Sequence, residues 1–181
     1  MRRLVLAVAA VLAVTLSSAA ADKVVPLFAD EAVIVPEGSP LTFQALGEHD
    51  TAYFSGKVLL TGTYYYGDGY FNDGPDIELE MYFYPDAESW VKLPRLKTRG
   101  QPKMIFLQNA APFVKAVIAP KTLARLKKDK KAGYASGKAA IWVDHFVAGI
   151  ECDGPSFGAH FVSLDQRPLA VTMREVPSTS C

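Results

Sequence analysis

Residues 77–84 alternate apolar and polar side chains without a break, and this alternation constrains the fold more than any other feature of the chain. Successive side chains of a β-strand point to opposite faces of a sheet, so the pattern predicts a strand with one buried face. The apolar members of that face are Ile77, Leu79, Met81 and Phe83. Because the faces alternate, Tyr82 and Tyr84 are expected on the solvent side.

Other segments rich in β-branched and aromatic residues predict four more strands. Residues 53–66 would form a long first strand that bends at Gly56 and Gly62, because glycine inside a strand permits sharp bends. The other three strands are expected at residues 104–107, 137–147 and 157–164. The dipeptide Asp153-Gly154 predicts a hairpin turn between the last two strands. Prolines and capping residues predict short helices at residues 86–93, 112–118 and 120–131.

The order of these elements is strand, strand, strand, helix, strand, strand, once the short helix after the second strand is set aside. This order predicts a mainly β fold, and we favour an OB-like five-stranded β-barrel with one or two helices. Another small α+β barrel or a sandwich is the alternative. The barrel domain would span residues 51–168. Residues 22–50, punctuated by prolines, are expected to form an irregular arm with one edge strand at residues 32–35. Residues 169–181 would form a C-terminal tail.

The first 21 residues have the layout of a secretory signal peptide. Two arginines follow the initial methionine, residues 4–16 are largely apolar, and small residues end at Ala21. This apolar run is shorter than the roughly 20 residues that a helix needs to span a bilayer. We therefore predict cleavage after Ala21 and no transmembrane anchor afterwards. The style of the signal indicates a bacterial protein that is periplasmic or secreted.

Charge and length narrow the classes of function. The chain carries 19 basic and 19 acidic residues, whereas nucleic-acid-binding domains usually present a strongly basic surface. Near-neutral charge and export together argue against a nucleic-acid partner. The length that remains after cleavage fits a single domain. We expect a monomer or a weak homo-oligomer, and we predict no cofactor.

The chain has two cysteines, Cys152 and Cys181. An even number of cysteines in an exported protein favours a disulfide between them. This bridge would close a loop of about 30 residues and tie the tail back to the domain. The spacing differs from C-x-x-C, which argues against a redox-active pair.

A loop rich in Asp and Gly at residues 67–76 lies between two aromatic segments. Exposed tyrosines beside a loop can stack on sugars, peptides or partner side chains, so we predict a binding face for a ligand or partner here. Its candidate residues are Tyr64, Tyr66, Tyr70, Phe71, Tyr82 and Tyr84. Weaker candidates for binding calcium are Asp68, Asp73 and Asp76. Their spacing departs from the helix-loop-helix calcium pattern, so an ordinary turn is the alternative.

His145 and His160 are the other weak metal candidates. If Asp153-Gly154 forms a two-residue turn, the two histidines become diagonal neighbours on one face of adjacent strands. Two histidines and a carboxylate, from Asp144, Glu151 or Asp153, can hold zinc. A shift of one residue in register would place the histidines on opposite faces, and structural histidines are therefore the alternative.

These features favour an exported binding or protein-interaction module of unknown ligand, which uses the aromatic and Asp-Gly loop region. The alternative is a small metal-dependent or hydrolytic periplasmic enzyme that uses His145 and His160. A structural component of the cell envelope is a third possibility. The sequence offers no identifiable pair of base and orienting residue that could activate a nucleophile for hydrolysis, so no catalytic residue is predicted.

Overall fold

Two β-sheets make up most of the computed structural model, and the fold is mainly β. The structure describes residues 21–27, 30–48, 50–68, 79–128, 133–151, 154–166 and 172–174. The strands are β1 (Lys23–Pro26), β2 (Ala32–Val35), β3 (Thr42–Leu46), β4 (Thr51–Ser55), β5 (Val58–Asp68), β6 (Leu79–Pro85), β7 (Arg95–Leu96), β8 (Ile105–Gln108), β9 (Tyr134–Glu151), β10 (Gly154–Gln166) and β11 (Thr172–Arg174). The helices are α1 (Ala87–Trp90), α2 (Ala111–Val117) and α3 (Pro120–Lys128).

Five strands of the larger sheet close into a ring. Strand β9 pairs with β5 along one edge and with β10 along the other, while β10 pairs with β8, β8 with β6, and β6 with β5. The β8–β10 pair is parallel and the other four pairs are antiparallel. Along the chain, helices α2 and α3 follow β8 and precede β9. The predicted order of five main strands, with helices before the fourth, is therefore confirmed.

Three further strands extend this sheet beyond the ring. Strand β4 pairs with the second half of β9, and β3 pairs with β4. Strand β11 pairs with the first residues of β9, from Tyr134 to Ser136. The C-terminal segment is thus attached to the domain by backbone pairing at residues 172–174.

The prediction of an irregular arm at residues 22–50 is wrong, because this segment contains β1, β2 and β3. The strand at residues 32–35 is confirmed, but it is not an edge strand. It forms the centre of a three-stranded sheet in the order β1-β2-β7. Prolines misled the prediction because they fall just outside β2 and β3 or at the end of β1, where a missing N–H is tolerated.

A buried carboxylate joins this small sheet together. Glu31 accepts hydrogen bonds from the backbone N–H groups of Ala32 and Thr98, each at 3.0 Å, and from the Thr98 hydroxyl. Burial raises the pKa of Glu31, but these hydrogen bonds more than offset that effect and leave the pKa below its ordinary value. The residue before β2 is therefore bonded to the segment after β7.

The predicted long first strand is two strands. It breaks at Gly56, whose φ of 107° is open to glycine but strained for other residues, and the chain resumes as β5. Strand β5 then runs through Gly62 without a break. A Cβ at Gly62 would collide with the backbone of Tyr84 on β6, so this glycine permits close strand packing rather than a bend.

Helix α1 begins where the sequence predicts it. Asp86 is the N-cap, and its carboxylate accepts a hydrogen bond from the backbone N–H of Ser89 at 3.1 Å and another from the Thr61 hydroxyl at 2.6 Å. Helix α2 has a proline in its first turn, and its Phe113 and Val114 are buried. Helix α3 buries Leu126, and its basic residues are exposed on the opposite side.

The core fills the interior of the ring. Phe113 of α2 packs edge-on against Tyr64 of β5, with ring centroids 5.1 Å apart, and against Phe161 of β10 at 5.3 Å. Other large and fully buried side chains include Phe83, Phe146, Leu60, Met81, Ile105 and Ile141. Met81 and Phe83 therefore lie on the buried face that the alternation of residues 77–84 predicts.

Among the described residues, no helix is both long and apolar enough to cross a membrane. The predicted signal peptide lies outside the described residues except for Ala21, which is exposed. Cys152 and Cys181 also lie outside them, so the predicted disulfide stays a prediction.

Candidate functional site

The three consecutive tyrosines of β5 do not form one binding face. Tyr64 is 0% exposed and Tyr66 is 9% exposed, and both belong to the core. Burial raises the pKa of both hydroxyls. Tyr64 and Tyr66 therefore belong to the core and not to an exposed face, because the alternation of β5 directs both side chains into the ring; their contact with a ligand stays a prediction.

Tyr65 points to the outer face of the same strand, where it belongs to a second set of aromatic side chains. Its ring stacks on Tyr134 of β9 at a centroid distance of 4.4 Å, and it lies 6.4 Å from Tyr82 of β6. Tyr82 in turn lies 5.7 Å from Phe106 of β8. Direct pairing of Tyr65 with Tyr82, and of Tyr82 with Phe106, places these rings side by side across neighbouring strands. We call Tyr134, Tyr65, Tyr82 and Phe106 the outer aromatic row.

The outer aromatic row is only partly accessible. Tyr82 lies on the predicted side of β6 but is 4% exposed, so the expectation that it faces solvent is wrong. Its hydroxyl donates a hydrogen bond to Glu80, and the rings of Tyr65 and Phe106 lie on either side of it in tilted orientations. Tyr84, Tyr65, Phe106 and Tyr134 are intermediate in exposure. A ligand on this face would therefore meet the rings on either side of Tyr82.

Most of the Asp-Gly loop lies outside the described residues. Tyr70, Phe71, Asp73 and Asp76 lie outside the described residues, and the structure describes only the backbone of Asp68, at the end of β5. The calcium hypothesis for these residues therefore stays a prediction.

His145 and His160 do come together, but in a register that differs from the prediction. Glu151 pairs with Gly154, so Gly154 belongs to the paired strand and not to a two-residue turn at Asp153-Gly154. His160 is then paired directly with Asp144. The structure thus confirms the proximity of the two histidines, although the predicted diagonal pairing is wrong.

A β-bulge in β9 produces this proximity. Gly158 pairs with Val147 and His160 with Asp144, so one residue of β10 lies opposite two residues of β9, which include His145. His145 has a φ of 47°, a left-handed conformation that costs a side chain about 1 kcal/mol or more. Strand β9 also changes its partner on the other edge at this point. It pairs with β5 up to Val143 and with β4 from Phe146 onwards.

The bulge brings three potential ligand groups to one exposed patch. The imidazoles of His145 and His160 stack with centroids 4.8 Å apart. One ligand atom each from these rings and from the Asp144 carboxylate lie within 4.8 Å of one another. Nδ1 of His145 lies 2.8 Å from Asp144 Oδ1, and Nε2 of His160 lies 2.8 Å from Gln108 Oε1. We call Gln108, Asp144, His145 and His160 the polar cluster.

The polar cluster and the outer aromatic row share the outer face of the ring. Phe106 and Gln108 are separated by one residue on β8, so their side chains lie on the same side about 7 Å apart. Gly158 lies directly beside Phe106 on β10. Gly158 is buried, and a Cβ there would find no atom closer than 3.8 Å, so this position beside Phe106 has room for a methyl group.

Sequence reasoning did not single out Tyr65, Phe106, Gln108 or Tyr134. Phe106 and Gln108 alternate with the buried Ile105 and Leu107, so an alternation test over this short strand would have placed both on the outer face. Their neighbours across strands depend on pairings between distant segments, which no local pattern reveals.

The outer face therefore combines partly exposed aromatic rings with two histidines and a carboxylate. No protein-family model matches this chain, and comparisons with curated proteins and with solved structures find no match.

Proposed function

We propose that this chain is an exported binding module that holds its ligand on the outer aromatic row. The observation that carries this proposal is a set of four aromatic side chains on the outer face of a ring whose interior already has its own aromatic core. The outer rings are not required to fill the interior. Partly exposed aromatic side chains are suited to stacking against a ligand with flat apolar faces, such as a sugar.

An OB-like architecture is part of this proposal. Numbered along the chain, the ring strands β5, β6, β8, β9 and β10 are neighbours in the order 1-2-3-5-4, with the fourth strand returning to the first. A long first strand and helices before the fourth strand fit the same architecture. In OB-folds the face of the second and third strands binds oligosaccharides or oligonucleotides. The corresponding strands here are β6 and β8, which carry Tyr82 and Phe106.

The near-neutral charge of the chain favours an oligosaccharide over a nucleic acid as the ligand. A neutral sugar needs no counter-charge, and its C–H face packs directly on an aromatic ring. This preference rests on analogy of fold and on charge.

The test removes the accessible rings of the row and spares the core. In the variant Tyr65→Ala/Phe106→Ala/Tyr134→Ala, Tyr82 stays in place because it is buried. Tyr53→Ala is the matched control, since Tyr53 is 46% exposed on β4, away from the row. Saturation-transfer NMR with soluble oligosaccharides from bacterial envelopes would measure binding. We expect signals for the wild type and for Tyr53→Ala, and at least a tenfold weaker interaction for the triple variant.

Two results would contradict this proposal. One is equal binding by the triple variant and the wild type, which would place the ligand elsewhere. The other is no interaction of the wild type with any oligosaccharide. In that case the same three proteins, used as bait in an envelope extract, would show whether a protein partner is lost with the row.

Export and a Cys152–Cys181 disulfide also remain part of the proposal. Strand β11 limits how this bridge can form. It pairs with the first residues of β9, whereas Cys152 follows Glu151, the last residue of β9. The seven residues after Arg174 reach at most about 25 Å, whereas an 18-residue strand would span roughly 60 Å if it were straight. An internal bridge therefore requires β9 to curl strongly around the ring.

Mass spectrometry of the unreduced protein after alkylation tests the bridge. We expect no labelled thiol, a mass of one chain, and an N-terminus at Asp22. Two labelled cysteines would exclude a disulfide, and a mass of two chains would show that the bridge joins two molecules.

A further inference from the structure

We propose that Asp144, His145 and His160 bind a divalent transition-metal ion of the zinc class on the outer face of the ring. Ligand atoms of these three residues lie within 4.8 Å of one another. Ligands about 2.0–2.2 Å from zinc lie roughly 3.5 Å apart in a tetrahedron, so the site closes on the ion by a shift of about 1 Å. The His145 side chain is 70% exposed and can make this movement by rotation. This site does not depend on the ligand face proposed above.

The backbone at His145 is an independent observation that points to a site. Four described non-glycine residues have positive φ: Asp30, Asp50, Asn109 and His145. The first three lie outside regular strands, whereas His145 lies within β9. Without the bulge, consecutive residues such as Asp144 and His145 would point to opposite faces. The bulge instead gathers both beside His160, and bulges in strands commonly serve to redirect a side chain at a site.

Neighbouring groups hold the rings in orientations that suit metal binding. A metal-ligating histidine usually donates the N–H of its other ring nitrogen to an oxygen acceptor. Gln108 Oε1 accepts such a bond at Nε2 of His160, which leaves Nδ1 to face an ion. Nδ1 of His145 and Oδ1 of Asp144 lie 2.8 Å apart, so both atoms can bind one ion that replaces the proton between them. Gln108 is therefore a positioning residue for His160.

The donor set determines the class of ion. Two imidazoles and one carboxylate are typical of Zn²⁺ and of other first-row transition ions, whereas Ca²⁺ and Mg²⁺ prefer sites built from oxygen ligands alone. Three protein ligands leave one tetrahedral position for water or for an oxygen of another molecule. The exposure of His145 makes that position accessible from solvent.

Isothermal titration calorimetry with ZnCl₂ tests the site on purified, metal-stripped protein at pH 7.5 after removal of any purification tag. We expect one Zn²⁺ per chain in the wild type. His145→Ala and His160→Ala should each weaken binding at least tenfold, and Gln108→Ala by about tenfold, the range typical of groups that orient a ligand. Asp144→Asn should also weaken it.

Controls separate this site from other zinc ligands. His49 is the third histidine of the chain, so His49→Ala makes the same substitution elsewhere and should leave binding unchanged. Cys152→Ser/Cys181→Ser should also leave binding unchanged. Co²⁺ titration of the wild type should give visible absorption bands of nitrogen and oxygen coordination without thiolate charge-transfer bands. Circular dichroism confirms that each variant is folded.

The proposal is overturned if the wild type takes up no Zn²⁺, or if the double variant His145→Ala/His160→Ala binds it as tightly as the wild type. It is also overturned if only the cysteine variant loses zinc. Loss of oligosaccharide binding in the triple aromatic variant would leave this result unaffected, so the two proposals fail separately.

Discussion

Tyr64 and Tyr65 are adjacent in sequence and identical in chemistry, yet they belong to different parts of the molecule. Tyr64 is 0% exposed inside the ring and packs against Phe113. Tyr65 stacks on Tyr134 on the outer face and stays partly exposed. The two faces of one strand thus carry two aromatic clusters. The inner cluster holds the fold together, and we propose that the outer cluster binds a ligand.

Truncation of the two tyrosines should separate these roles most strongly. Tyr64→Ala removes a fully buried ring from the core and should lower the free energy of unfolding by about 3–5 kcal/mol. Tyr65→Ala removes a partly exposed ring that stacks on Tyr134, and it should lower the free energy of unfolding by about 1 kcal/mol. Urea denaturation followed by circular dichroism measures both. Equal losses for the two variants would mean that the outer aromatic row stabilises the fold as much as the core does.

Two glycines extend the comparison to the backbone. Gly62 lies on the inner side of β5, where a Cβ would collide with Tyr84 and Phe83, so Gly62→Ala should destabilise the protein by about 1–3 kcal/mol. Gly158 lies on the outer face, and Gly158→Ala should change stability by less than about 0.5 kcal/mol. Thermal melts of both variants check this difference. A loss of stability in Gly158→Ala as large as that in Gly62→Ala would show that the space beside Phe106 is tightly packed.

A smaller effect is expected from removal of one buried hydroxyl. The Tyr64 hydroxyl is buried without a hydrogen-bond partner among the described residues. Because an unpaired buried polar group is costly, Tyr64→Phe should stabilise the protein by about 1 kcal/mol. Tyr53→Phe, on the exposed Tyr53, is the control and should have no measurable effect. Destabilisation by Tyr64→Phe would reveal a partner for this hydroxyl.

The burial of Tyr64 and Tyr66 should also produce a gradual loss of stability at alkaline pH. Burial raises the pKa of Tyr64 and Tyr66 above 10.0 in the folded protein. The unfolded chain then releases these protons first, so stability is complete below about pH 10 and falls as the pH rises further. Denaturation at a series of pH values should give a shallower decline for Tyr64→Phe than for the wild type. Parallel declines would contradict the raised pKa of Tyr64.

Much of the ring could be predicted from local patterns. The alternation in β6, the proline and cap signals of α1 and α2, and the hairpin between β9 and β10 all depend on neighbouring residues, and each element formed near its predicted place. The predictions failed where long-range pairing decides. Residues 22–50 form strands because β7 and β4 offer partners, and the register of β9 with β10 differs from the predicted one because Glu151 pairs with Gly154.

The candidate site was less predictable than the fold for the same reason. The sequence indicated an aromatic region and two histidines, but it assigned Tyr64 and Tyr66 to the surface and left Phe106 and Gln108 unremarked. Exposure depends on what packs against a strand face. The neighbours of Tyr82 come from β5 and β8, more than 15 residues away in either direction.

The sequence by itself determined the local properties of this protein: a β-rich chain, its helix starts, and the alternation that divides each strand into two faces. Only the tertiary structure decided which face lies inside the ring, how β8 and β10 meet in parallel, and where the bulge at His145 falls. Local propensity acts over a few residues, because steric and capping effects are short-ranged. Burial and register arise when distant strands compete for the same partners, so they are properties of the whole fold.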